Sequence, residues 1–230
     1  MLPIIRVTVD NIAHNKLKND LLECIDKYYP IICNYPSDSH EEFKLIEQVI
    51  AHKTSNLMAG TLPNACYNLL EHLNEQFGAE MIFNRYHEQL PNYKASVRFL
   101  DDKQQNIHTI TWLTVEASIL SNCFTVYFEN TYWFNDISRF KDLESPVPFR
   151  IISGNHKSVD IGGKYIIDVK KSFKKYFPDY QFCEHYFLMR TEVEKGIPYR
   201  MNYRVKSNTN SLYNYLFCSV DWSPKTEITM

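Results

Sequence analysis

The hydrophobic period of the chain changes near Ala79, and this change constrains the fold more than any other feature of the sequence. Before Ala79, apolar residues recur every three or four positions, which is typical of helices packed on one side. After it, the spacing becomes two, as in Tyr93, Ala95 and Val97, which alternate with polar residues. The sequence therefore predicts an α+β protein in which N-terminal helices precede an antiparallel sheet.

The first third is predicted to contain a short strand at residues 4–9 and three helices. The first helix is expected to begin after Asp10 or Asn11 and to end before Pro30, because a residue that precedes proline is displaced from helical geometry. A capping box at Ser39–Glu42 is expected to begin the second helix, which reaches residue 57. The third helix is predicted over residues 63–77.

The middle of the chain is predicted to form antiparallel strands at residues 93–99, 107–116 and 123–129. The first alternates strictly and should bury one face, whereas the other two carry apolar residues on both faces and should be inner strands covered on both sides. A polar turn at residues 101–106 joins the first two. The segment Tyr132–Phe134, followed by two prolines, is predicted to be a connection between possible halves 1–134 and 147–230.

The last third is predicted to contain a helix at residues 166–177 and strands at residues 181–191, 197–206 and 211–221. The apolar spacing of that helix equals the spacing of Cys66, Leu69, Leu73 and Phe77. The sequence thus leaves open two copies of a helix-then-antiparallel-strands unit. Because no Gly/Ser-rich linker occurs, we expect residues 1–230 to form a single compact unit.

Composition narrows the class of protein. The formal net charge of −2 argues against a general nucleic-acid coat protein, which needs a basic surface, and makes nucleic acid an unexpected partner. The N-terminus lacks the pattern of a secretion signal, and no stretch is apolar enough to span a membrane. We therefore expect a cytoplasmic protein whose six widely spaced cysteines are reduced thiols.

The eight histidines are scattered, and the glycines lack the spacing of a phosphate-binding loop. No metal and no cofactor are therefore expected.

Residues 159–170 carry the sharpest local motif. Asp160 precedes Gly162 and Gly163, and Asp168 and Lys170 form an acidic-x-Lys triplet. The segment resembles the active-site hairpin of the PD-(D/E)xK nuclease superfamily, although the position before Asp160 is valine. The resemblance implies that Asp160 and Asp168 hold a divalent cation and that Lys170 positions the attacking water. The competing interpretation is a helix through residue 177, in which the same charges make surface ion pairs.

A row of polar side chains is predicted near the C-terminus. In a strand, period two places Arg200, Asn202, Arg204 and Lys206 on one face. Such a row can dock a protein partner with an acidic surface. We therefore expect a non-enzymatic intracellular binding protein that acts through protein–protein contacts, such as an inhibitor or a toxin-neutralising immunity protein. The alternative is the metal-dependent nuclease.

Overall fold

The structure of the protein, a computed structural model, describes residues 3–29, 43–58, 64–77, 82–84, 92–105, 107–134, 149–153, 160–194, 198 and 210–217. These residues form helices α1 (Pro3–Tyr28), α2 (Lys44–Met58), α3 (Asn64–Phe77), α4 (Asp160–Tyr176), α5 (His185–Arg190) and α6 (Leu212–Phe217). They form strands β1 (Ile82–Asn84), β2 (Asn92–Lys103), β3 (Ile107–Ser118), β4 (Cys123–Phe134), β5 (Phe149–Ser153), β6 (Gln181–Phe182), β7 (Glu192–Val193) and β8 (Asn210–Ser211). The α+β class is confirmed. No helix of the described segments has both the length and the apolar composition needed to cross a membrane.

The sheet is built on a meander of three long strands. Its antiparallel order is β1-β2-β3-β4-β5, and β6 adds to β4 in parallel. The register places Lys94 opposite Glu116 and Val115 opposite Val126. A register shift between Arg98 and Leu100 interrupts the β2 ladder. The three predicted middle strands are thus confirmed, and each continues beyond its predicted end.

One face of the sheet is apolar and is covered by α3 and α4. We call it the apolar face; its residues are Ala95, Val97, Leu113, Val115, Ala117, Phe124, Val126 and Phe128. Leu73 of α3 and Val169 of α4 are buried against it. Phe173 of α4 stacks on Phe124 with ring centroids 4.1 Å apart. Each of these large side chains contributes about 1.5–3 kcal/mol by leaving water. The helices predicted from the apolar stripes at 63–77 and 166–177 are confirmed.

A second core lies where α1, α2, α5 and α6 meet the turn between β3 and β4. Ile25, Ile46, Leu188 and Leu216 are fully buried there, and Leu120 of the turn joins them. Cys24, Cys123 and Cys183 lie near this core and form no disulfide among the described residues; Cys123 and Cys183 are buried, and Cys24 is half-buried. The reduced state of all six cysteines stays a prediction.

The N-terminal end of α6 explains why the predicted strand at 211–221 is wrong over residues 212–217; residues 218–221 lie outside the described residues. Asn214 N–H donates to Ser211 Oγ at 3.3 Å, and Ser211 N–H donates to Asn214 Oδ1 at 3.0 Å. This reciprocal pair is a capping box with asparagine in the place of the usual glutamate. Leu212–Phe217 is therefore a helix, and Asn210–Ser211 alone forms the short strand β8.

The C-terminal end of α6 is held by side chains from three distant parts of the chain. Tyr29 OH donates to the carbonyl of Tyr215 at 3.1 Å, Ser118 Oγ to that of Leu216 at 2.9 Å, and Asn92 Nδ2 to that of Phe217 at 2.9 Å. The last carbonyls of a helix have no partner within the helix. These three donors therefore satisfy groups that would otherwise be buried without a hydrogen bond.

The predicted strand at 181–191 is also wrong. Only Gln181–Phe182 pairs with β4, and His185–Arg190 forms α5. His185 and Leu188 are its buried residues, and their spacing of three is helical. The run is largely apolar and aromatic, and a run this short does not distinguish a strand from a helix.

Two more predictions are wrong at segment ends. The strand expected at residues 4–9 is part of α1, which begins at Pro3, because proline is well accommodated at the first helical position. The connection expected at Tyr132–Phe134 is the last part of β4, paired with Ile107–Thr109 of β3. The Ser39–Glu42 capping box lies outside the described residues, and so does the strand at 197–206 except for residue 198, which belongs to neither a helix nor a strand.

The internal repeat is not confirmed. The described residues that follow α3 form long strands, whereas those that follow α4 form two-residue strands and short helices.

Candidate functional site

The second face of the sheet is polar and yet buried. Period two places Lys94 of β2, Glu116 of β3, and Tyr127 and Glu129 of β4 on the side opposite the apolar face. Glu116 and Tyr127 are 0% exposed, and Glu129 and Lys94 are 5% and 8% exposed. Lysine and glutamate are almost never buried to this degree unless they are paired. Each buried charge on the second face must therefore have a partner.

Both carboxylate oxygens of Glu116 have partners. Lys94 Nζ lies 3.1 Å from Glu116 Oε1, and Tyr127 OH donates to the same oxygen at 3.0 Å. Tyr213 OH of α6 donates to Glu116 Oε2 at 2.6 Å. Both carboxylate oxygens are thus occupied by short, charge-assisted contacts, which are about twice as strong as neutral hydrogen bonds.

Lys94 has a second carboxylate neighbour. Its Nζ lies 3.7 Å from Glu129 Oε2 and 3.3 Å from the Tyr127 hydroxyl. Burial and the neighbouring Glu116 raise the pKa of Tyr127 and of Tyr213 well above the usual value of a phenol, so both hydroxyls remain proton donors. The arrangement is a lysine between two glutamates, closed by two phenols.

His185 of α5 completes this arrangement. Its ring stacks on Tyr127 with centroids 4.1 Å apart and meets Tyr213 edge-on at 5.0 Å. Burial, with a smaller contribution from Lys94, lowers the pKa of His185 to about 3. Neither ring nitrogen has a hydrogen-bond partner within the described part of the chain. The imidazole is therefore neutral at neutral pH and serves as an aromatic ring. We call Lys94, Glu116, Tyr127, Glu129, His185 and Tyr213 the buried charged cluster.

The buried charged cluster joins the sheet to the two short helices. Tyr213 brings α6 to β3, and His185 brings α5 to β4. A buried ion pair contributes little net stability, because desolvation offsets the attraction between the charges. Its geometry is nevertheless demanding, since each partner must reach a defined oxygen. The cluster thus positions α5 and α6 on the sheet.

The predicted contact residues Arg200, Asn202, Arg204 and Lys206 lie outside the described residues. Residues 164–206, which we call the basic region, contain ten Lys or Arg. Six of these lie among the described residues, and five of the six are on α4. Its sheet-facing side is apolar, and its opposite side carries exposed lysines at 164, 171, 174 and 175. Ile167 lies among them and is 52% exposed. We call Lys164, Ile167, Lys171, Lys174 and Lys175 the lysine face; their spacings place them on one side of a helix.

The structure places the acidic-x-Lys triplet on α4. Asp160 and Asp168 are eight residues apart on one helix, which separates their backbones by about 12 Å along the axis. They do not face each other across the hairpin on which the nuclease resemblance depends. Lys170 Nζ lies 3.3 Å from the centroid of the Phe182 ring, and burial lowers its pKa. The helical alternative for this segment is confirmed.

No three His, Cys, Asp or Glu side chains converge on a possible cation site among the described residues. No family model matches the chain, and neither the curated proteins nor the solved structures contain a significant match to it.

Sequence reasoning missed the buried charged cluster, although a signal was present. Glu116 and Glu129 lie in strands predicted to be covered on both sides, so at least one of them had to be buried and paired. The partner could not be named, because a cross-strand neighbour depends on the register. Tyr213 and His185 gave no signal, since both lie in segments predicted to be strands.

Proposed function

We propose that the protein is a non-enzymatic binding protein of the cytoplasm that contacts an acidic surface on a protein partner. The observation that carries the proposal is the lysine face of α4, a row of four exposed lysines around an exposed isoleucine. The predicted basic row Arg200, Asn202, Arg204 and Lys206 belongs to the same contact region in this proposal. An inhibitor or a toxin-neutralising immunity protein acts in this way.

The distribution of charge along the chain supports the proposal. Residues 164–206 contain ten Lys or Arg and five Asp or Glu, whereas the rest of the chain contains fifteen and twenty-two. Local charge of one sign steers an oppositely charged protein and raises the rate of association. Burial of the half-exposed Ile167 would add about 1 kcal/mol to binding. The lysine face thus combines electrostatic attraction with an apolar contact.

The test uses charge reversal at Lys171 and Lys174. We expect Lys171→Glu/Lys174→Glu to fold normally, because exposed charges contribute little to stability. Its affinity for partners isolated from native cells and identified by cross-linking should fall at least tenfold. The loss should shrink at high salt, since screening weakens the same attraction in the wild type.

The matched control is Lys16→Glu/Lys18→Glu, which reverses two exposed lysines on α1 outside the basic region. Equal weakening by the control would contradict the proposal. So would DNA or RNA cleavage that requires Mg²⁺ or Mn²⁺ and disappears in Asp168→Ala and Lys170→Ala, because that result favours the nuclease alternative.

A further inference from the structure

A groove of about 570 Å³ runs between α1 and the start of β4. Its base includes Leu17, Leu21 and Leu120, which are apolar and buried. One wall is a face of α1, and the other wall is formed by the β3–β4 turn and the chain that leads into β6. The volume lies in the range of sites that bind small ligands or the side chains of another protein.

The rim of the groove is acidic. Asp20, Glu23 and Asp179 line it and are exposed, and Lys27 is the one basic residue among the lining residues that the structure describes. Within the described residues these three carboxylates make no ion pair with the protein. An apolar base with carboxylates above it is complementary to an apolar side chain surrounded by cations.

The lysine face of α4 has that chemistry. Ile167 is an exposed apolar side chain, and Lys164 and Lys171 flank it along the helix. Ile167 cannot reach the groove of its own chain, because Ile166 and Val169 fix α4 against the apolar face of the sheet. Contact between the two surfaces therefore requires two molecules.

We infer that the acidic groove of one molecule binds the lysine face of a second copy of this chain. In this arrangement Ile167 enters above the apolar base, while the lysines approach Asp20, Glu23 and Asp179. The small net charge of −2 does not oppose association between copies. Because groove and lysine face are different surfaces, the contact is heterologous and generates a chain or a ring of molecules.

Sedimentation of the wild type at several concentrations tests the inference. We expect species larger than the monomer at low salt, about 50 mM, and monomer at about 500 mM, where screening is short-ranged. A wild type that is monomeric at every concentration in low salt would overturn the inference.

Two variants make the test specific. Asp20→Asn/Glu23→Gln removes two carboxylates from the groove, and Lys164→Glu/Lys171→Glu reverses two charges on the lysine face. Each variant alone should be monomeric. An equal mixture should form a one-to-one dimer, because the first variant retains a lysine face and the second retains a groove. That dimer cannot grow, because its two remaining surfaces no longer carry opposite charges.

The matched control is Glu71→Lys/Glu75→Lys on α3, which reverses two exposed carboxylates that belong to neither surface. It should associate as the wild type does, and a thermal melt of each variant should show the wild-type transition. A monomeric mixture, or loss of association in the control, would overturn the inference.

The inference does not depend on the acidic partner proposed above. Suppose that the wild type never self-associates and that a lysine-face variant loses its protein partner. The first result would refute this inference, and the second would support the proposed function.

Discussion

The two faces of the sheet belong to the same three strands and are stabilised in different ways. The apolar face packs non-directionally against α3 and α4, so many side chains of similar size could fill it. The polar face depends on a few directional contacts, above all those of Glu116 with Lys94, Tyr127 and Tyr213. Neighbouring residues of one strand therefore tolerate different kinds of substitution.

The largest difference is expected at two adjacent residues of β3. Glu116→Ala removes a buried carboxylate and leaves Lys94 and two phenols without their main partner, which should cost about 3–5 kcal/mol in the free energy of unfolding. Val115→Ala, on the apolar face, should cost about 1–3 kcal/mol, since it removes two buried carbon atoms and leaves a small cavity. Urea denaturation of both variants measures the difference. Equal losses would show that the two faces do not differ in this way.

Low pH should destabilise the polar face, but not the apolar face, through His185. Its pKa is near 6.5 when unfolded and about 3 when folded, so below pH 6.5 the unfolded chain binds a proton that the native protein does not. Stability should therefore fall as the pH decreases from 6.5 to 3, by a total on the order of 4 kcal/mol from this residue. His185→Phe retains the ring contacts and lacks the titration. Its free energy of unfolding should fall less than that of the wild type over this range, and parallel curves would contradict the assignment.

A smaller effect is expected at the start of α6, which holds Tyr213 against the polar face. Asn214→Ala removes the side chain that accepts from Ser211 N–H and Ser211 Oγ. Loss of one capping contact should cost about 1 kcal/mol, seen as a lower midpoint in urea. Asn214→Gln, which can restore the amide oxygen, should lose less; a larger loss for glutamine would argue against the capping role.

The smallest effect is expected on the solvent side of the helix that covers the apolar face. Lys164→Glu/Lys171→Glu should change the free energy of unfolding by less than about 0.5 kcal/mol, because both side chains are exposed. Thermal melts measure this directly. A large loss of stability would mean that these lysines contribute to the fold and are not simply a contact surface.

Predictions from sequence succeeded for helices whose single stripe of apolar residues packs against the apolar face of the sheet. The stripe of Leu69 and Leu73 and the stripe of Val169 and Phe173 each identify a helix without knowledge of what it packs against. The apolar side of β2 followed from the same kind of pattern. These elements lie on the apolar face, whose energetics depend on burial and little on the identity of the partner.

Predictions failed where partners distant in sequence determine the structure. Leu212–Phe217 is apolar and aromatic enough to be a strand, and it is a helix because of its capping box and the donors that meet its last carbonyls. The same is true of Glu116, because its burial is explained only by the strand register that places Lys94 opposite it. Local propensity carries neither piece of information.

The three donors at the end of α6 also bear on how the chain folds during synthesis. Tyr29, Asn92 and Ser118 are separated from their acceptors by 186, 125 and 98 residues. A helix of six residues is not stable alone, so α6 forms only when these distant partners are already in place. The ribosome must therefore release residue 217 before the second core can close, and until then the nascent chain exposes the surfaces of α1 and of the β3–β4 turn that α6 will cover.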